Sequence, residues 1–382
     1  MISVLVNILL YIVVIGVLVF VHELGHYLAA KSVKATIYEF SLGFGPKVVS
    51  KEYRGIQYSI RAIPLGGYVK IAGDGDPSTE KGRKERDDSN SLKKKKKIAQ
   101  AWVMSAGVIM NLLLATGIYY IALSTNDWYV SLSSEFREFE PIVGEVQYEQ
   151  LREVEYEGLL EGSGAEEADI PEKGILKKVA GEEVEYSFDI GEILENKEGQ
   201  QVTVEICEED QCQDYEIIVS EEGYLGLMVY SNYIVNISYE NNKVLSGPGH
   251  LLNMLKLTYG KLTTLFSEAK QTGDYTEVAN TFTGPIGIYI VLDYFKQFGF
   301  ISILSLIADL SISLAIINML PLPALDGGRV LILIVESIFK KDLNEKVEAV
   351  IINVSFIFLM LLMVAILVKD FVTLDSIKSM FG

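Results

Sequence analysis

Long apolar runs dominate the hydrophobicity pattern of the chain. Each is long enough to cross a hydrocarbon core of about 30 Å as a helix. The runs are Ile2 to Val21, Ile98 to Leu123, Ile301 to Leu320 and Val350 to Val368. The pattern therefore predicts a multi-pass α-helical membrane protein with about four transmembrane helices. The first run has neither a basic leading segment nor a small-residue cleavage site, so we predict a retained span and not a signal peptide.

Between these runs the pattern changes twice. Residues 36–72 alternate apolar and polar positions around several glycines, which is typical of short strands and turns. Open strand edges cannot face hydrocarbon, so we expect a membrane-associated β-loop that is shielded from lipid. Residues 140–230 carry mixed helix and strand patterns and are numerous enough for one compact inserted α+β domain.

These patterns divide the chain into eight predicted segments. They are a first transmembrane helix (1–35), the β-loop (36–72), a basic cytoplasmic loop (73–97), a second transmembrane helix (98–124), the inserted domain (140–230), a membrane-proximal amphipathic region (231–298), a third transmembrane helix (299–330) and a fourth (348–369).

The inserted domain is strongly acidic, whereas the chain before the second span is rich in basic residues. Residues 141–230 hold 25 acidic against five basic side chains and account for the net charge of −18, whereas residues 31–97 hold 16 Lys and Arg. Lys and Arg near spanning helices stay on the cytoplasmic side, so we predict that the acidic domain is extracytoplasmic. Beside a span, the run Lys93 to Lys97 indicates topology or contact with anionic lipid, and we predict no nucleic-acid partner.

The chain has two cysteines, Cys207 and Cys212. Their spacing does not match the paired cysteines of a zinc ribbon. On an oxidising side of the membrane they could form a disulfide. The sequence leaves both the disulfide and the free thiols open.

Two histidines and a glutamate stand at the end of the first apolar run, in Val21-His22-Glu23-Leu24-Gly25-His26. On a helix, His22 and His26 share one face at the spacing that lets two imidazoles bind one Zn²⁺, and Glu23 lies beside them as a general base for water. An H-E-x-x-H string also occurs by chance in soluble proteins. Ionisable groups in a spanning helix are unfavourable by ~3 kcal/mol or more each, which favours a metal here.

A catalytic zinc site needs a third protein ligand. Asp326 is the one acid in the stretch Asn318 to Gly328, where prolines and glycines interrupt the third span. Asp309 lies earlier in the same span without such a break, and His250 follows a Gly-Pro-Gly segment that predicts a turn. We therefore predict Asp326 as the third ligand. Asn111, in the second span, has two open roles: an interhelix hydrogen bond, or a part in the active site.

Together these motifs resemble the site-2 protease family of intramembrane zinc metalloproteases. Gly43 to Pro46 and Ile63 to Lys70 resemble its bacterial branch that includes the sigma-E regulator protease, and residues 140–230 resemble a PDZ domain. One departure is Val108, where many relatives have proline.

The resemblance implies zinc held by His22, His26 and Asp326, with Glu23 as the catalytic acid/base. It also implies a substrate-binding motif of Asn318, Pro321 and Pro323. Asn111 would belong to this motif if it has a part in the active site. The implied substrates are single-pass membrane proteins, such as an anti-sigma factor or a signal-peptide remnant. They would be cut in regulated intramembrane proteolysis within the plasma (inner) membrane, after an upstream site-1 protease. The active site would lie toward the cytoplasmic side.

Two other functions remain open. One is a non-catalytic membrane scaffold whose PDZ-like domain captures peptide tails, although Glu23 and Asp326 are both present. The other is a zinc carrier, which would need polar groups along several spans. The role of the acidic domain is also open, because it could recruit substrates or exclude bulky ones.

Overall fold

The protein consists of two compact units. A computed structural model describes residues 2–74, 89–208 and 211–374, so most of the predicted basic loop lies outside the described residues. One unit comprises Met1–Ser124 and Gly247–Gly382, and the other is Thr125–Ser246. The second unit is therefore an insertion between two helices of the first.

The first unit begins with two long helices that flank a hairpin. Its elements are α1 (Ile2–Ser32), β1 (Ile37–Tyr53), β2 (Ile56–Ile71), a 3₁₀ turn (Leu92–Lys94) and α2 (Lys97–Ser124).

The inserted unit contains two sheets. Its elements are β3 (Tyr129–Leu132), a 3₁₀ turn (Ser134–Phe136), β4 (Glu145–Gln150), β5 (Glu155–Leu159), α3 (Gly164–Glu167), β6 (Lys173–Val179), β7 (Glu182–Glu183), α4 (Asp189–Leu194), β8 (Gln201–Glu208), β9 (Gln211–Ile218), β10 (Leu227–Val229), β11 (Tyr233–Ser238) and a 3₁₀ segment (Glu240–Leu245).

The first unit resumes with helices only. They are α5 (Ser246–Thr272), α6 (Thr276–Thr281), α7 (Pro285–Phe295) with a 3₁₀ turn (Lys296–Phe298), α8 (Phe300–Met319), α9 (Asp326–Phe339) and α10 (Glu345–Val372).

Four helices in the described part of the chain are long and apolar enough to cross a membrane. The spans are Leu5–Ser32, Lys97–Ser124, Phe300–Met319 and Lys346–Val372. This confirms the prediction of about four apolar helices. In α10 most large apolar side chains are exposed on the protein surface, as expected for a helix whose solvent is lipid.

The hairpin of β1 and β2 is more complex than two paired strands. Residues 39–42 pair both with residues 57–60 and with residues 67–70, while residues 47–53 pair with residues 56–61. Each strand is therefore bent, and the two strands form four paired segments. Residues 67–70 bring the second half of β2 close to Glu23 of α1.

A buried polar network holds the bend in the hairpin. The guanidinium of Arg61 donates to Ser41 Oγ at 3.0 Å, to Glu39 Oε1 at 3.1 Å and to Tyr68 Oη at 2.5 Å. Burial by itself would raise the pKa of Glu39, but hydrogen bonds from Ser59 and Arg61 outweigh it and the pKa of Glu39 is lowered. The carboxylate therefore stays charged and keeps Arg61 paired inside the hairpin.

In the inserted unit, the larger sheet has the strand order β10-β5-β6-β8-β9, with β7 paired to β6, and the smaller sheet has the order β3-β11-β4. Cys207 and Cys212 face each other across β8 and β9 and form a disulfide. The sequence pattern does not predict the smaller sheet, because its paired strands β3 and β11 are more than 100 residues apart.

His250 does not lie in a turn, as its flanking residues had suggested. Gly247-Pro248-Gly249 forms the first turn of α5, where proline is tolerated because its missing N–H has no intrahelical partner. The ring of His250 is buried with its edge toward Tyr119, with centroids 4.5 Å apart. His250 is also absent from the cluster of potential metal ligands described below.

Candidate metal centre

Glycines bring α1 and α2 into close contact at the two histidines. A Cβ on Gly25 would lie 2.3 Å from the carbonyl oxygen of Ala106, so the two backbones nearly touch there. A Cβ on Gly107 would lie 2.5 Å from both His22 Cε1 and His26 Nε2. Only glycine leaves room for both imidazole rings between these helices.

Hydrogen bonds from α2 orient both rings. His26 Nδ1 lies 2.8 Å from the carbonyl oxygen of Val103, which can only accept, so Nδ1 carries the proton and Nε2 of the neutral ring has a free lone pair. His22 Nδ1 lies 3.2 Å from the amide of Asn111, a fully buried side chain. Asn111 Oδ1 has no hydrogen-bond partner among the described residues. If the amide group is rotated by 180°, Asn111 Oδ1 accepts a hydrogen bond from His22 Nδ1. His22 Nε2 then has a free lone pair, as His26 Nε2 has.

A break between two helices brings the carboxylate to the histidines. α8 ends at Met319, and Asp326 is the first residue of α9. A Cβ on Gly327 would lie 2.2 Å from the carbonyl oxygen of Met319, and one on Gly328 would lie 2.0 Å from that of Leu322. The glycines therefore do not stop a helix. They form the first turn of α9 and let the connecting turn pack directly on it.

Three potential ligand atoms converge at equal distances. His22 Nε2, His26 Nε2 and Asp326 Oδ2 are each 3.2 Å from the other two. Ligands about 2.0–2.1 Å from a tetrahedral zinc ion lie roughly 3.3 Å apart, so the spacing fits this metal. Asp326 Oδ2 is buried and has no hydrogen-bond donor among the described residues. When both rings carry their proton on Nδ1, three electron-pair donors face one another, an arrangement that a cation stabilises.

Glu23 and the hairpin complete the walls of the site. A cavity of about 80 Å³ is lined by Glu23, by the three potential ligands, and by Val69 and Ile71 of β2. A Cβ on Gly67 would lie 3.1 Å from Glu23 Cγ, so β2 packs closely over this side chain. Glu23 is buried at the edge of a polar pocket, as a proton acceptor for water needs to be.

Three further residues from the sequence analysis lie outside this cavity. Asn318 is half-buried in the last turn of α8, while Pro321 and Pro323 lie in the turn before α9. None of them is among the described residues that line the cavity. Two other residues of this site, Gly107 and Arg329, were hard to predict from the sequence. Gly107 is one of several small residues in the second span, and Arg329 directly follows the glycine pair.

Comparisons with known proteins agree with the geometry. The sequence profile described as peptidase family M50 matches residues 10–362. The chain belongs to peptidase family M50, the site-2 protease family. This M50 peptidase is 30% identical to a protein of Fusobacterium nucleatum named as a zinc metalloprotease, over 95% of this chain and 97% of the relative. A protein of Clostridium perfringens with the same designation is 31% identical, over 93% and 95%.

A more distant relative comes from a plant. A chloroplastic membrane metalloprotease of Arabidopsis thaliana is 29% identical over 97% of this chain and 79% of the relative. The M50 peptidase described here is therefore a metalloprotease and a membrane protein.

Proposed function

We propose that this metalloprotease hydrolyses peptide bonds in or near transmembrane segments of other membrane proteins. The observation that carries the proposal is the cluster of His22, His26 and Asp326, with ligand atoms 3.2 Å apart and built from helices that are themselves membrane spans or follow one directly. We propose Zn²⁺ as the metal, since the ligand set is two imidazoles and one carboxylate.

The reaction follows from the chemistry of the side chains. When bound, a zinc ion supplies Lewis-acid chemistry, which lowers the pKa of water and polarises a scissile carbonyl. Glu23 accepts the proton of the attacking water and delivers it to the nitrogen of the leaving amine. Asn111 and the carbonyl of Val103 hold the imidazole rings of His22 and His26 in the orientation that the ion requires.

The substrate must reach this site in extended form, because a helix hides its carbonyl groups in internal hydrogen bonds. We propose that the second half of β2, which lines the cavity with Val69 and Ile71, presents the substrate backbone beside Glu23. Asn318, Pro321 and Pro323 would contact the substrate on its way to the cavity.

The proposed orientation rests on charge and on redox chemistry. Lys93 to Lys97, of which the last begins α2, would be cytoplasmic, with the active site toward that side. The inserted unit follows the other end of α2 and carries the disulfide between Cys207 and Cys212, which suits an oxidising compartment. In the plasma membrane, this PDZ-like unit would be extracytoplasmic.

We further propose that the substrates are single-pass proteins, such as an anti-sigma factor or a signal-peptide remnant, already shortened by a site-1 protease. The role of the inserted unit can be tested by deleting the whole unit, Thr125–Ser246. Cutting of unprocessed substrate would support exclusion by size, whereas loss of cutting would support recruitment.

The catalytic assignment is tested by Glu23→Gln in the purified full-length protein. This variant should bind about one zinc per chain, as the wild type does, yet fail to cut a reporter substrate with one transmembrane segment. Asp326→Asn is the matched variant and should lose both zinc and cutting. Full activity of Glu23→Gln would contradict the role of Glu23, and full zinc content of Asp326→Asn would contradict the ligand set.

A further inference from the structure

A second polar cavity adjoins the metal centre. Its volume is about 110 Å³, and it lies beside the start of α2. Asp74, Met104 and Arg329 line both this cavity and the one that contains the potential metal ligands. These three side chains therefore form the partition between the two cavities.

An ion pair lies within this partition. Arg329 Nη1 is 2.8 Å from Asp74 Oδ1, and the side chains are only 11% and 10% exposed. Shielding from water strengthens such a pair and makes the loss of one partner far more damaging than at the surface. The planar guanidinium also fixes the direction of approach, which a flexible lysine would not do.

The pair joins two elements that both form walls of the metal centre. Arg329 lies three residues after Asp326 in α9, so the two side chains share one face of this helix. Asp74 lies three residues after the end of β2, whose Val69 and Ile71 line the metal cavity. A movement of the hairpin end relative to α9 would have to break this bond.

Other ion pairs around the second cavity differ in position. Lys93 Nζ is 3.1 Å from Glu348 Oε2 and connects the segment before α2 to α10. Neither residue lines the metal cavity, and the Lys93 side chain is 41% exposed. This pair offers a control, because it is an ion pair at the same cavity without contact to the metal centre.

We propose that the ion pair of Arg329 and Asp74 is a positioning device for the metalloprotease. It holds the first turn of α9, and with it the carboxylate of Asp326, in register with the end of β2 that flanks Glu23. Arg329 and Asp74 are positioning residues, because they act through Asp326 and the end of β2. The inference rests on the proposed zinc site.

The test uses the zinc-loaded full-length protein with the variants Arg329→Gln, Asp74→Asn, their double mutant and the control Glu348→Gln. Zinc affinity is measured by competition with a chromophoric chelator, and kcat and KM on the transmembrane reporter. Each single variant should bind zinc about 10-fold more weakly and show a kcat about 10-fold lower, the scale typical of groups that orient metal ligands. The double mutant should lose less than the product of the two single losses.

The control Glu348→Gln should retain the zinc affinity and kcat of the wild type. If the loss in the double mutant equals the product of the two single losses, the proposal is wrong. It is also wrong if Glu348→Gln loses as much zinc affinity and kcat as the two single variants. Should Arg329→Gln fail to fold, Arg329→Lys keeps the charge without the planar fork and should give a smaller loss of zinc affinity. An unchanged zinc affinity in that variant and in Asp74→Asn would equally overturn it.

The same measurements separate this proposal from the function on which it rests. If wild type and Asp326→Asn contain equal zinc, the metal site itself is wrong. If Asp326→Asn loses zinc while Arg329→Gln and Asp74→Asn keep the wild-type affinity and kcat, only the role of the ion pair is wrong.

Discussion

At the scale of single residues, the metal centre depends as much on groups that do not bind metal as on the three that could. Gly107 provides the space for two imidazole rings, and Asn111 and Val103 orient them. Of these groups the sequence singles out only Asn111, with two open roles, whereas Gly107 is one of several small residues in the second span. Glycine has no side chain, so the sequence does not indicate that Gly107 contacts residues about 80 positions earlier in the chain.

Gly107→Ala should weaken metal binding. Its Cβ would lie 2.5 Å from atoms of both His22 and His26, so at least one ring must move. We expect zinc affinity to fall by ~10-fold or more, as for other disturbed ligand orientations. The matched control is Gly117→Ala in the same helix, where nothing lies within 4 Å of the new Cβ. It should retain zinc and change stability by no more than about 1 kcal/mol. Equal zinc affinity in the two variants would contradict this account.

Asn111→Leu should weaken zinc binding by ~10-fold without abolishing folding, because His22 loses the group that orients its ring. Isothermal titration of the metal-free protein with zinc measures the effect. Ser311→Ala is the control, since Ser311 Oγ donates to the backbone oxygen of Asn111 at 2.9 Å and does not touch the amide. A larger loss of zinc affinity in Ser311→Ala than in Asn111→Leu would show that helix packing, and not the amide, is responsible.

At the scale of elements, α2, which contributes Gly107 and Asn111 to the metal centre, packs against α8. Ala115, Ile118 and Tyr119 of α2 pack with Ala308 and Ile312 of α8 in an apolar cluster. Apolar periodicity predicted these helices, but it does not reveal which polar groups meet across them. One such meeting is the hydrogen bond from Tyr119 Oη to Asp309 Oδ1, at 2.5 Å.

This contact predicts a partial rescue. Tyr119→Phe leaves the half-buried carboxyl of Asp309 without this donor and should lower the free energy of unfolding by about 1–3 kcal/mol. In the double variant Tyr119→Phe with Asp309→Leu, both polar groups are gone and stability should return toward the wild type. Thermal unfolding in detergent micelles gives the comparison. A double variant less stable than Tyr119→Phe would indicate that Asp309 has a second important role.

At the scale of the whole molecule, the two units divide chemistry and charge. His22, His26 and Asp326 belong to the unit of Met1–Ser124 and Gly247–Gly382, whereas the acidic excess of the chain lies in the inserted unit, Thr125–Ser246. The proposed topology places the basic segment before α2 and the inserted unit on opposite sides of the membrane. This separation can be measured directly.

Single cysteines report the orientation. Lys94→Cys, at an exposed position before α2, should react with a membrane-impermeant maleimide only in inside-out vesicles. Glu222→Cys, exposed in the inserted unit, should react only in right-side-out vesicles. The unmodified protein is the control, because both native cysteines are held in a disulfide and should not react. Labelling of both variants from the same side would refute the topology.

The sequence by itself determined what depends on local spacing and composition. Run length and hydrophobicity predicted the four apolar helices, and a spacing of four residues put His22 and His26 on one helical face. The tertiary structure decided what depends on contacts between distant segments. It set Asp326 Oδ2 3.2 Å from Nε2 of both histidines, bent the hairpin over Glu23, and paired Arg329 with Asp74. These contacts arise from helix and strand packing over separations of up to about 300 residues, and no local pattern records which surfaces will meet.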